Sequence, residues 1–119
     1  MPDIAELARR CYQAYVDKDR AAIEDLIAEP FSFTSPYDDH IDRKTYFERC
    51  WDNADRIGDI RIQKLLTAGD DAFVLYEVDP VGGGSFRNTE FLRFRDGKLA
   101  EVEVFFGEIS GVEQKGSDG

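Results

Sequence analysis

The last third of the chain limits the possible folds most. It reads Phe91-Leu92-Arg93-Phe94, then Asp96-Gly97, then a second alternating run from Leu99 to Phe106. Period-two alternation on both sides of an Asp-Gly pair is the pattern of a β-hairpin. Its register decides which side chains share a face, because a one-residue slip turns every one of them over. A two-residue turn at Asp96-Gly97 would set Phe94 opposite Leu99 and Leu92 opposite Glu101, mixing apolar with charged. A three-residue loop, Arg95-Asp96-Gly97 with Gly97 left-handed as a bulge, moves the pairing by one. Asn88, Glu90, Leu92 and Phe94 then share a face with Ala100, Val102, Val104 and Phe106. Arg87, Thr89, Phe91 and Arg93 fall on the other face with Glu101, Glu103 and Phe105. The second arrangement separates an apolar face from one with complementary charges, and it is the expected one. It leaves one acid, Glu90, on the apolar side.

Upstream of the hairpin the period changes. Ile4, Leu7, Ala8, Cys11, Tyr12, Tyr15 and Val16 recur at three- and four-residue steps, a helix from about Asp3 to Asp17. A second short helix is expected near Arg20 to Ala28, with Ile23, Leu26 and Ile27 inward and Pro30 stopping it. A third opens with Asp42 as N-cap, buries Tyr46, Phe47, Cys50, Trp51 and Ala54, and runs to about Ile57, where Gly58 ends it. Between the second and third, Phe31 to Thr34 alternates as a short strand that Pro36 breaks, and Tyr37 to Ile41 reads as a loop. Further strands are expected at Ile60 to Ala68, Ala72 to Val78, Ser85 to Phe94 and Leu99 to Phe106. Turn residues separate them at Gly69-Asp70-Asp71, Pro80 to Gly84 and Asp96-Gly97. Helices first and a strand meander afterwards is an α+β layout, helices on one face of an antiparallel sheet.

At 119 residues the chain fits one domain, expected over residues 1–112, with a polar, glycine-containing and frayed tail at 113–119. There are 25 acidic residues against 15 basic ones, a net charge of −10. A surface that acidic repels phosphate backbones and anionic lipid, so nucleic acid and membrane surfaces are poor partners. The N-terminus MPDIAELARR lacks the apolar stretch of a secretory signal, and no run approaches a membrane span. The two cysteines, Cys11 and Cys50, sit in separate helical patterns, as reduced thiols do in a cytoplasmic protein. The expected location is the cytoplasm.

Several stretches together resemble the SnoaL-like and ketosteroid-isomerase-like family. Phe91-Leu92-Arg93-Phe94, Asp96-Gly97-Lys98-Leu99 and Val104-Phe105-Phe106-Gly107-Glu108 look like its C-terminal hairpin. Tyr15-Val16-Asp17-Lys18-Asp19, followed by Ile23, Leu26 and Phe31 to Pro36, is similar to its opening two helices and first strand. The resemblance spans nearly the whole chain. It implies a conical α+β barrel, a curved antiparallel sheet wrapped around three N-terminal helices, with an internal pocket. It also implies a homodimer packed through the outer sheet face. The isomerase uses an Asp base and an oxyanion hole of a Tyr and a protonated Asp. By spacing from Pro36 the base position is Ser35 here. The tyrosine position is Cys11, with Tyr12 next to it and Tyr15 one turn on, and the protonated-acid position is Glu90. One group of the three is kept.

Glu90 is therefore the leading catalytic candidate: a carboxyl among Leu92, Phe94, Val102 and Val104 is desolvated, which raises its pKa and makes it a proton donor or shuttle. Satisfaction by a buried polar neighbour is the competing reading. Asn88, two residues earlier on the same face, either orients a substrate carbonyl or bonds Glu90. Tyr12 and Tyr15 project from the first helix toward the sheet as pocket phenols, or as core residues with the hydroxyl at the rim. Trp51, Phe33, Tyr76, Leu92, Val104 and Phe106 are ligand-wall or core positions. Tyr76 depends on the facing of its strand, for which Phe73, Leu75 and Glu77 are the other inward set. His40, the only histidine, stands beside Asp38 and Asp39, as a general base near neutral pH or as part of a solvated loop. No metal-type spacing accompanies it. Gly82-Gly83-Gly84 reads as a hairpin tip rather than a phosphate loop, since no lysine or helix follows.

Two functions follow from these residues. One is an isomerase- or cyclase-type enzyme using Glu90 on a small, largely apolar carbonyl compound, with no metal or organic cofactor required. The other is a non-catalytic homodimeric pocket protein that binds such a molecule or serves another enzyme.

Overall fold

Three aspartates start the three helices, each by accepting a backbone N–H that the first helical turn leaves unpaired. In a computed structural model that describes residues 3–107, Asp3 caps α1 (Ile4–Val16) through Ala5 at 3.2 Å. Asp19 caps α2 (Arg20–Leu26) through Ala22 at 3.1 Å, and Asp42 caps α3 (Arg43–Cys50) through Thr45 at 2.9 Å. The remaining elements are strands: β1 (Ile27–Ser35), β2 (Asp38–Ile41), β3 (Ile57–Ala68), β4 (Asp71–Pro80), β5 (Phe86–Arg95) and β6 (Lys98–Phe106). The expected tail at 113–119 lies outside the described residues.

Four boundaries differ from the sequence reading. α2 stops at Leu26, because Ile27 and Ala28 are both buried at the start of β1 and Ile27 pairs with Leu99. Pro30 lies within β1, where the pairing with β6 is interrupted between Ile27 and Ser32, so its missing N–H costs no ladder bond. Residues 38–41 form an edge strand rather than a loop, pairing Ile41 with Phe33 and Asp38 with Ser35. α3 gives way at Trp51 to a 3₁₀ turn (Trp51–Arg56), and Gly58 lies inside β3, whose pairing with β4 begins at Ile57–Pro80.

The strands form one sheet in the order β2-β1-β6-β5-β4-β3. With β2 and β3 as its edges, it is a curved, unclosed cone. Neighbours are antiparallel except β1 and β6, which run parallel, so the sheet is not wholly antiparallel as expected. No hairpin joins those two: α3 and the 3₁₀ turn carry the chain from β2 at one edge to β3 at the other. α1 packs inside the curve against β3 and β4. Its apolar stripe (Leu7, Ala8, Cys11, Tyr12) closes on Val74, Leu92 and Phe94 from the sheet.

The last hairpin combines features of both registers weighed above. Its turn has two residues, Asp96 at φ 54° and Gly97 at φ 79°, and sets Phe94 opposite Leu99. Two successive left-handed residues suit Gly97, which has no Cβ to clash. The bulge sits further on, at Ala100: Arg93 pairs with Glu101, one residue beyond the simple register. Leu99 and Ala100 are consequently buried together, which regular alternation forbids. Past the bulge Leu92 faces Val102, Glu90 faces Val104 and Asn88 faces Phe106. The bulge was expected at Gly97; its effect on Asn88, Glu90 and Leu92 is the expected one.

Candidate active site

Glu90 sits mid-sheet between two valines, Val74 on β4 and Val104 on β6. Neither neighbour offers it a hydrogen bond, and two phenols do so instead. Tyr12 of α1 donates to Oε1 at 2.7 Å, and Tyr76 of β4 donates to Oε2 at 2.5 Å. The two rings pack with centroids 5.1 Å apart. Tyr12 and Tyr76 are nearly sealed, at 7% and 5% exposure. Glu90 is only partly buried: its carboxyl is deep among protein atoms, yet a remnant of its surface stays open.

Burial raises the Glu90 pKa above the ordinary value, with the bonds from Tyr76 and Tyr12 pulling the other way. Both phenols are in turn pushed well above their usual range, first by burial and then by the adjacent Glu90 charge. Cys11, on the same face of α1, is pushed up to about 12 for the same two reasons, so it is an inert thiol.

Asn88 is the buried polar residue beside this group, at 7% exposure. Its Nδ2 donates to the Tyr76 oxygen at 3.4 Å, and its Oδ1 accepts from the Gly107 N–H at 3.3 Å. Gly107 must be glycine there, since a Cβ would collide with the Arg87 carbonyl. The inward set of β4 is thereby settled: Ala72, Val74, Tyr76 and Val78 are buried while Phe73 is half exposed.

Tyr15 packs its ring on Trp51 at 5.2 Å. Its hydroxyl, expected either in a pocket or at the rim, is buried and has no hydrogen-bond partner among the described residues. Phe33 packs on Tyr46 at 4.9 Å, Leu92 is core at 2% exposure, and Val104 is buried. An open groove of about 530 Å³ runs along Thr34, Ser35, Pro36 and Tyr37 on one side and Glu103 to Phe106 on the other. Val104 and Phe106 of that groove stand opposite Glu90 and Asn88 in the sheet.

His40 is not brought to Glu90. It lies exposed on β2 with Nδ1 2.6 Å from Asp39 Oδ1, a bond that raises its pKa. Among the described residues no group of three His, Cys, Asp or Glu side chains is placed to hold a metal ion. The structure adds a polar cluster that sequence reading passed over. Ser35 donates to Asp38 Oδ2 at 3.2 Å, and Arg49 reaches Asp38 Oδ1 at 2.9 Å. Asp38 also helps burial push the Cys50 thiol up to about 11. Pairing of Asp38 with Ser35 across β1–β2 is what brings these groups together, and it is invisible while 37–41 is read as a loop.

Residues 8–102 match the SnoaL-like domain family, which is most of the chain. The chain belongs to the SnoaL-like domain family. Solved structures agree on the fold of this SnoaL-like domain. A protein from Kribbella flavida is 15% identical with a TM-score of 0.77, over 85% of this chain and 84% of that one. An NTF2-like protein of unknown function from Mesorhizobium loti is 24% identical with a TM-score of 0.74, over 91% and 98%. A de novo designed protein with a curved β-sheet is 11% identical with a TM-score of 0.76, over 87% and 84%. At such identities the likeness speaks for the fold alone. No curated protein sequence matches. No helix among the described residues is long and apolar enough to cross a membrane.

Proposed function

We propose that this SnoaL-like domain binds a small, largely apolar carbonyl compound and that Glu90 moves a proton on it, in chemistry of the isomerase or cyclase type. One observation carries the reading: a carboxyl on the apolar face of the sheet, held by two phenols, with its pKa raised by burial. Such an acid keeps its proton to a higher pH than a free glutamate, which suits a group that gives and retakes a proton. The groove along Pro36, Tyr37, Val104 and Phe106 favours an apolar partner.

A second reading has its own support. Both Glu90 oxygens already have hydrogen bonds from the protein, so the acid is satisfied without any ligand. On that reading the domain holds a small molecule and does no chemistry. For either function a homodimer through the outer sheet face is proposed. There Phe73 packs on Phe91 at 5.2 Å beside exposed Leu66 and Phe105, flanked by Arg93 with Asp71 and Glu101. Aromatic rings ringed by opposite charges suit a self-complementary two-fold contact.

A screen of cyclic ketones of steroid, polyketide and terpenoid type separates the two functions. Turnover by wild type that Glu90→Gln abolishes, with binding intact in both, supports the enzyme. Binding without turnover by wild type supports the carrier.

A further inference from the structure

We infer that the transferable proton of Glu90 resides on Oε1, shared with Tyr12, and that Asn88 is a positioning residue that fixes Tyr76 as a permanent donor to Oε2. This rests on the reading of Glu90 as the acid of the site, and it adds which of its atoms carries the proton.

The chain of reasoning starts at a backbone amide. The Gly107 N–H can only donate, so Asn88 must turn its carbonyl oxygen toward it, at 3.3 Å. That choice fixes the amide orientation, which shape alone leaves open. Asn88 Nδ2 therefore faces the Tyr76 oxygen, at 3.4 Å, and Nδ2 has protons but no lone pair to receive one. Tyr76 has a single proton, and among the described residues its other hydrogen-bond partner is Glu90 Oε2 at 2.5 Å. Two oxygens so close admit one proton between them. Tyr76 supplies it, in both charge states of Glu90.

An acid proton on Glu90 is thereby excluded from Oε2 and placed on Oε1, where Tyr12 stands at 2.7 Å. Among the described residues no side-chain amide bonds to the Tyr12 hydroxyl. When Glu90 is ionised, Tyr12 donates to Oε1; when Glu90 is protonated, Tyr12 accepts from Oε1. The other groups facing Glu90 are Tyr15 and Cys11 from α1, both kept in their neutral forms by burial, and the apolar Val74 and Val104.

The test needs no substrate. Glutamate labelled with ¹³C at the carboxyl gives a Glu90 resonance, identified by its absence in Glu90→Gln, that is titrated in wild type, Tyr12→Phe and Tyr76→Phe. Tyr76→Phe removes a donor from the carboxylate alone and raises the Glu90 pKa by about one unit or more. Tyr12→Phe removes a donor from the carboxylate and an acceptor from the acid together, so its shift is clearly smaller. In Asn88→Leu, where Tyr76 is free to turn, the difference between the two tyrosine changes collapses. Equal shifts with Asn88 in place, or a larger one for Tyr12→Phe, would overturn the inference. Wild type provides a second measurement should a variant fail to fold. The Tyr12 Cζ resonance, whose hydroxyl changes role, should move more across the Glu90 titration than that of Tyr76, and the opposite order overturns the assignment. A Glu90 that titrates like a free glutamate in wild type would remove the acid reading itself. A raised value with symmetric tyrosine effects would remove only the proton's placement.

Discussion

Replacing Glu90 with glutamine tests the buried acid through folding stability. Burial lifts the folded-state pKa above the ordinary value of 4.5, so the native state holds a proton more tightly than the unfolded chain does. The sign follows by linkage. Stability from this group is undiminished below the unfolded pKa, declines as the pH rises toward the folded pKa, and levels off above it. Each unit separating the two values removes about 1.4 kcal/mol. Asp42, Asp71 and Glu77 act in the opposite sense. Their pKa values are lowered, Asp42 mainly by its bonds to Thr45 and the other two mainly by arginine partners. Their contribution is present above their unfolded values and is lost as the pH falls through the folded ones. Those three are common to wild type and Glu90→Gln and cancel in the difference. Urea unfolding of both proteins from pH 4 to 9 should therefore give a stability difference that moves in favour of the glutamine variant as pH rises, then plateaus. The height of the step divided by about 1.4 kcal/mol reads out the Glu90 shift directly. A flat difference curve would show Glu90 ionising as freely in the fold as outside it, and one that moves the other way would show it ionising more readily there.

Other perturbations probe the surroundings. Leu92→Ala, at 2% exposure between Ala72 and Val102, should cost about 2–5 kcal/mol in urea unfolding; a loss under 1 kcal/mol would mean the inner face is loosely packed. Phe73→Lys changes a half-exposed ring on the outer face. It should leave stability within about 0.5 kcal/mol while halving the mass in sedimentation equilibrium; an unchanged mass removes the proposed interface. A thiol reagent at pH 8 should modify partly exposed Cys50 before buried Cys11, whose thiol is pushed up to about 12; Cys11 reacting first would contradict its place in the core.

Fold class and most elements were legible because they follow from local pattern. The α1 stripe, the Asp42 cap and the alternation of β5 and β6 need only the periods 3.6 and 2 and a residue type that caps helices. Misjudged boundaries came where tertiary pairing overrode local preference. Ile27 reads equally well as the last turn of a helix or the first residue of a strand, and only its pairing with Leu99 decides. Residues 38–41 are polar, and their strand exists because β1 offers an edge. At the site, Glu90 could be picked out by its apolar neighbours in sequence. Its two phenol partners lie 78 and 14 residues away. The tyrosines themselves could be listed as candidates, but bonds between them and one carboxyl depend on how α1 lies against β4 and β5. Asn88's tie to Gly107 was equally hidden, since it depends on where the sheet ends.

A single inserted residue joins the hairpin's turn to its chemistry. The Asp96-Gly97 turn alone, continued without interruption, would place Glu101 opposite Leu92, at the centre of the apolar face. Ala100 absorbs the offset in one step, where Leu99 and Ala100 are buried side by side. From there on every β6 residue alternates in phase with β5: Val102 and Val104 inward, Glu101 and Glu103 outward beside Arg93 and Phe91. Glu90 is inward for the same reason as Leu92, being two residues from it on one strand. Its burial is thus a consequence of the register that buries the core, and the fold cannot bring Glu90 out to solvent without turning Leu92 out as well. An acid tied so firmly to the core must be satisfied from inside, and the inner face supplies Tyr12 and Tyr76 for that purpose. The same two phenols, one fixed by Asn88 and one free, are what make the carboxyl's two oxygens unequal.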